Sequence, residues 1–154
     1  MDLRSSKKCQ TPNLPGIVLL SHGPMAFGMM ESAEMITGKL DNFVAISLEP
    51  GDTPESFRDA YEKVLMDYPK GSIVLVDLFG GTPSNQIMQT VFRENCNVFA
   101  IAGMNLGMLI EASVLRTSCS GQALLDKLEI IGKESVINLT DKVREIKENL
   151  EPGV

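Results

Sequence analysis

The chain has 154 residues, 44% of them hydrophobic and 22% charged, which is the size and balance of one globular domain. Its formal net charge is −6, from 14 Lys and Arg against 20 Asp and Glu, so a phosphate backbone would be repelled and nucleic-acid binding is not expected. A single histidine, His22, excludes a zinc site built on two or more imidazoles and routes all imidazole chemistry through one residue.

Residues 1–15 hold Arg4, Lys7, Lys8 and two prolines with little apolar content, and are expected to form a flexible N-terminal tail ahead of a domain over 16–154. The short apolar run Ile17-Val18-Leu19-Leu20 predicts a strand covered on both faces. A helix follows from Met25 to Lys39, closed by Gly38 or Asp41-Asn42, and then a second strand from Phe43 to Leu48. Thr53-Pro54 predicts an N-cap and first helical residue, ahead of a stripe of Phe57, Ala60, Tyr61, Val64, Leu65 and Tyr68. Ile73 to Val76 is the third strand, and Thr82-Pro83 repeats the cap-plus-proline pattern before a helix that buries Ile87, Met88, Val91 and Phe92. The fourth strand is Val98 to Ala102, with a helix from about Leu106 to Arg116. Beyond it the residues predict a helix from Ser120 to Leu128, a short strand from Ser135 to Leu139 and a terminal helix from Asp141 to Leu150. Four strand-then-helix units in succession imply an α/β fold: a mostly parallel central sheet of flavodoxin-like order in a three-layer sandwich.

No apolar run approaches 18 residues, so no membrane span is expected, and the N-terminal residues lack the apolar core of a secretory signal. Cys9, Cys96 and Cys119 are odd in number, far apart and in no C-x-x-C, as for reduced thiols of a cytosolic protein.

Ligands of an open parallel sheet sit beyond the carboxyl ends of its strands. Ser21-His22-Gly23-Pro24 follows the first strand, Glu49-Pro50-Gly51-Asp52 the second, Asp77-Leu78-Phe79-Gly80-Gly81-Thr82-Pro83 the third and Gly103-Met104-Asn105 the fourth. If the first and third strands are neighbours, His22 and Asp77 share a crevice. A carboxylate on one imidazole nitrogen fixes the tautomer, leaves the other nitrogen as a nucleophile, and stabilises the cation formed when it is loaded. Gly80-Gly81-Thr82 opens a helix, whose N–H groups and dipole suit an anion. Histidine, carboxylate and anion cradle together point to phosphoryl transfer through phosphohistidine. Each feature alone is ordinary turn chemistry, and the argument rests on their convergence. No P-loop, G-x-G-x-x-G or G-x-S-x-G sequence competes, and carboxylates at Glu49, Asp52 and Asp77 specify no metal site. Of nine methionines, Met35 and Met88 are expected in the core, Met104 and Met108 near the site edge, and Met25 with Phe79 in a partner-docking role.

The runs Gly16-Ile17-Val18-Leu19-Leu20-Ser21-His22-Gly23, Glu49-Pro50-Gly51-Asp52, Val76-Asp77-Leu78-Phe79-Gly80-Gly81-Thr82-Pro83-Ser84-Asn85 and Ala102-Gly103-Met104-Asn105-Leu106-Gly107-Met108-Leu109, in this order, resemble the mannose-type (mannose/fructose/sorbose) enzyme IIA domain of the bacterial phosphoenolpyruvate:sugar phosphotransferase system. The resemblance covers about residues 16–139. It implies a histidine, here His22, that accepts a phosphoryl group from the phosphocarrier HPr on Nε2 and passes it to a IIB component, for sugar import through membrane components IIC and IID. It implies that Asp77 holds Nδ1–H, and that Thr82 and the backbone around it, Gly80 and Gly81 included, face the phosphate, with no cofactor. It further implies a cytoplasmic homodimer in which a short C-terminal strand, matched by Ser135 to Leu139, is exchanged between subunits. The family often carries tryptophan where Phe79 stands and serine where Thr82 stands. A phosphocarrier subunit of dihydroxyacetone kinase shares the fold and a histidine after the first strand, but the Asp77 to Pro83 run favours the sugar-importing branch. A non-catalytic regulatory copy is expected to lose the histidine or the aspartate, and both are present.

Overall fold

The computed structural model describes the backbone of residues 2–4 and all of residues 9–150. Five strands form one sheet in the order β1-β3-β2-β4-β5: β1 (Asp2–Arg4), β2 (Ile17–His22), β3 (Phe43–Leu48), β4 (Ile73–Val76) and β5 (Phe99–Ala102). The last four pair in parallel. β2 and β4, the first and third of this parallel set, are neighbours, as the flavodoxin-like order requires.

The sheet is apolar on both faces because helices cover both, so its strands read as unbroken hydrophobic runs. On one face Ile17, Leu19, Phe43, Ala45, Ile73 and Leu75 pack with α1 (Met25–Thr37), α4 (Leu106–Leu115) and α5 (Gly121–Glu134). On the other face Val18, Leu20, Val44, Ile46, Val74 and Val76 meet α2 (Pro54–Asp67) and α3 (Thr82–Arg93). α1 stops at Gly38, whose φ of +82° suits glycine. α2 starts as expected: the Thr53 side chain accepts from Ser56 N–H at 3.0 Å, and Pro54 is the first helical residue.

Several expectations are corrected. Of the residues expected to form the tail, Asp2–Arg4 pair antiparallel with β3, Gln10, Thr11 and Leu14 bond to Asn42, and residues 5–8 lie outside the described residues. The Asn42 side chain is buried; its Oδ1 accepts from Gln10 and Thr11 N–H, and its Nδ2 donates to the Thr11 and Leu14 carbonyls. α3 is capped by Gly81, which leaves Thr82 inside the first turn rather than at the cap. The helix from Gly121 continues to Glu134. Residues 135–139 form no strand: Ser135 N–H closes α5 on the Ile131 carbonyl, and α6 (Leu139–Leu150) begins at Leu139. A strand needs a ladder partner, and residues 136–138 meet none among the described residues. Met35 and Met88 are 87% and 52% exposed, because α1 turns Ala26, Phe27, Met30 and Ala33 inward and α3 turns Ile87 and Thr90 inward. Met104 and Met108 take the core places instead.

Candidate functional site

β2 ends on His22 and β4 is followed directly by Asp77, so their parallel pairing sets the two side by side at the carboxyl edge of the sheet. His22 Nδ1 lies 2.8 Å from Asp77 Oδ2. The same oxygen accepts the His22 backbone N–H at 2.8 Å, while Oδ1 accepts Leu78 N–H at 2.8 Å. An ionised carboxylate only accepts, so Nδ1 carries the proton and Nε2 keeps its lone pair. The Asp77 side chain is 3% exposed and the His22 side chain 46% exposed: the carboxylate is fixed inside and the imidazole is presented to solvent.

The other wall of the site is the start of α3. A Cβ at Gly81 would stand 2.4 Å from His22 Cε1 and 2.9 Å from Nε2, so only glycine admits the ring. Gly80 is needed for a different reason, since its φ of +96° makes the turn into α3. Ser84, buried, ties this turn by accepting from Gly80 N–H at 2.8 Å and donating to the Gly81 carbonyl at 3.1 Å. The first-turn N–H groups of α3, less that of Pro83, therefore stand beside the imidazole, where they and the helix dipole favour negative charge. Thr82 sits half-buried in that turn.

The loop after β2 is held from both sides. The Gly23 carbonyl accepts from Ser21 at 3.0 Å and from Ser47 at 2.5 Å, and Gly23 N–H donates to the Leu48 carbonyl at 2.9 Å. Ser21 Oγ also accepts Ala26 N–H at 2.8 Å, which fixes the entry to α1. Ser21 and Ser47 are register partners on β2 and β3, and this pairing is the signal that sequence reasoning missed, as it missed the role of Ser84. Glu49 contacts Ser47 Oγ, and Asp52 accepts Glu49 N–H, so both serve the loops around the histidine. At the rim, Met25 is 44% exposed and Phe79 74% exposed. The arrangement suits nucleophilic attack by Nε2 on an electrophile that brings an anionic group to α3.

Among the described residues no helix is long and apolar enough to cross a membrane. The family model described as the PTS system fructose IIA component matches residues 16–129. The chain is 29% identical over 133 residues to the PTS fructose-specific EIIA component of Bacillus subtilis strain 168, covering 85% of this chain and 90% of that protein. It is 30% identical over 128 residues to the PTS sorbose-specific EIIA component of Lacticaseibacillus casei, covering 82% and 92%. The crystal structure of the phosphotransferase system component EIIA from Streptococcus agalactiae superposes with a TM-score of 0.76 at 29% identity, covering 82% of this chain and 98% of that one.

Proposed function

Because this chain belongs to the mannose-type family of IIA components of the bacterial sugar phosphotransferase system, we propose that Nε2 of His22 carries its phosphoryl group, taken from HPr and given to a IIB component. The observation that carries this reading is the 2.8 Å contact between Nδ1 and the buried Asp77, with the opposite ring nitrogen beside the α3 N-terminus. Nε2 attacks phosphorus, the Nε2–P bond forms, and the N–P bond of the donor breaks with its electron pair returning to the donor ring. Nδ1–H stays on Asp77 throughout, so the loaded ring is an imidazolium whose charge the carboxylate offsets. Gly80, Gly81 and Thr82 line the side on which the phosphoryl oxygens lie, where backbone N–H groups donate to them. Transfer to IIB reverses the same geometry.

Met25 and Phe79, both exposed and a few residues beyond the ends of β2 and β4, form part of the surface on which HPr and IIB dock. The protein works in the cytoplasm, reaching IIC and IID only through IIB. It works as a homodimer in which residues 135–139 of one subunit complete the sheet of the other beside β5. The open β5 edge, and residues 136–138 that lie in neither a helix nor a strand, support this exchange. Incubation with phosphoenolpyruvate, enzyme I and HPr, followed by intact-mass measurement, is the test. One acid-labile phosphoryl adduct is expected on the chain and none on His22→Ala; an adduct on His22→Ala would refute the assignment, since no second histidine exists.

A further inference from the structure

Ser84 follows Thr82 and Pro83 in the first turn of α3 and is 2% exposed. A serine at this place commonly bonds the carbonyl of the cap residue. Ser56 does so in α2, donating to the Thr53 carbonyl at 3.0 Å, and that bond alone would be ordinary helix capping. Two features set Ser84 apart. Its Oγ also accepts Gly80 N–H, from the residue before the cap, at 2.8 Å. And the cap of α3 is Gly81, which has no side chain to turn on its own helix, whereas Thr53 and Asn105 engage the N–H groups of Ser56 and Met108 at 3.0 and 2.9 Å. The first turn of α3 is thus left open at its end and braced from within by a hydroxyl.

These bonds sort the N–H groups around the imidazole. Gly80 N–H is committed to Ser84, and Pro83 has no N–H to offer. The Gly81 carbonyl accepts Ser84 Oγ–H at 3.1 Å and Asn85 N–H at 2.9 Å. In a planar trans peptide the N–H points opposite to the carbonyl. The Gly81–Thr82 unit therefore turns its carbonyl into the helix and Thr82 N–H out of the helix end. That end is where the His22 ring packs, with Nε2 2.9 Å from the place a Gly81 Cβ would take.

Hydrogen bonds in series polarise one another. Gly80 N–H, donating to Ser84 Oγ, makes the hydroxyl a better donor. The hydroxyl in turn draws electron density onto the Gly81 carbonyl oxygen, which makes Thr82 N–H a better donor. We propose that Ser84 is a positioning residue for phosphoryl transfer at His22: its hydroxyl holds the Gly80–Gly81 turn so that Thr82 N–H, and not Gly80 N–H, meets the phosphoryl oxygens, and it strengthens that donor. This inference rests on the phosphohistidine reading above and names the donor within it. Ser84 acts through the Gly81–Thr82 peptide and not by touching the phosphoryl group. A donor fixed in place before transfer needs no reorganisation during it, so weakening it lowers the rate at saturation rather than the affinity for phosphorylated HPr.

The test is single-turnover transfer from phosphorylated HPr to the parent, Ser84→Ala and Ser84→Thr chains. Removing an anion donor outright costs on the order of 100-fold or more, and weakening one should cost about 10-fold. Ser84→Ala is therefore expected to transfer about 10-fold more slowly at saturation, with the half-saturating HPr concentration within about twofold of the parent's. Ser84→Thr, which keeps the hydroxyl, should recover most of the rate. Proton–nitrogen correlation spectra give a second readout. Phosphorylation should move the Thr82 amide proton downfield in the parent, and further than that of Gly80, and the Thr82 displacement should shrink in Ser84→Ala. A Ser84→Ala chain with the parental rate and the parental Thr82 displacement, a loss confined to affinity for HPr, or a downfield move at Gly80 in place of Thr82 would overturn the inference and leave the phosphohistidine reading standing. A parent chain that takes no phosphoryl group on His22 would overturn both.

Discussion

A methyl group at Gly81 is the smallest change that strikes the proposed phosphoryl acceptor. In Gly81→Ala the added carbon would lie 2.4 Å from His22 Cε1 and 2.9 Å from Nε2. Ordinary carbon contacts begin near ~3.5 Å, so ring and helix must part by about 1 Å. The ring's path away from α3 is limited by Asp77, which is buried and already accepts two backbone N–H groups. Retreat of the ring therefore stretches the 2.8 Å Nδ1 contact or turns Nε2 from the helix. A misplacement of ~1 Å at a reacting atom costs on the order of 100-fold in rate. Gly81 has an extended φ of −88°, which alanine adopts freely, so the variant should fold. Quenched-flow transfer from phosphorylated HPr, beside a thermal melt, measures the effect. A variant that melts like the parent and transfers within about threefold of its rate would refute the reasoning that links this close approach to catalysis.

Three further outcomes follow from other parts of the structure. Asp77→Asn places an amide where Nδ1–H and two backbone N–H groups now find acceptors, and should slow transfer by on the order of 100-fold or more, read by the same assay with circular dichroism as the fold control. Asn42→Ala removes four hydrogen bonds that fasten residues 10–14, and should cost about 2–4 kcal/mol in urea unfolding at ~1 kcal/mol each. Burial pushes the Tyr61 and Tyr68 hydroxyls from 10.0 up to about 12. The folded chain then holds two protons that the unfolded chain releases, so stability is complete below pH 10 and falls as pH rises from 10 to 12. Melting across that range should drop less for Tyr61→Phe and Tyr68→Phe than for the parent.

What was legible in the sequence followed from local physics. Apolar runs covered on both faces announced the parallel strands, and the residues after β2 and β4 placed His22 beside Asp77, because β-strand ends set loop positions whatever the loops contain. What was hidden depended on contacts distant in sequence. Asp2–Arg4 is a strand only because β3 presents a free edge. Thr82-Pro83 carries the same cap signature as Thr53-Pro54, but the close fit of His22 against Gly81 accompanies a cap one residue earlier. Met88 reads as a core residue on periodicity, yet it lies on the flank of α3 away from both α2 and the sheet. Residues 135–139 have the composition of a strand without a partner among the described residues to make them one.

The central claim concerns one atom, and heteronuclear NMR reads that atom directly. Phosphorylation of the ¹⁵N-histidine-labelled chain by enzyme I and HPr, followed by ¹⁵N–³¹P correlation, should show phosphorus coupled to Nε2 of His22, with Nδ1 still protonated against Asp77. Coupling to Nδ1, or a phosphoryl group on any residue other than His22, would contradict the account.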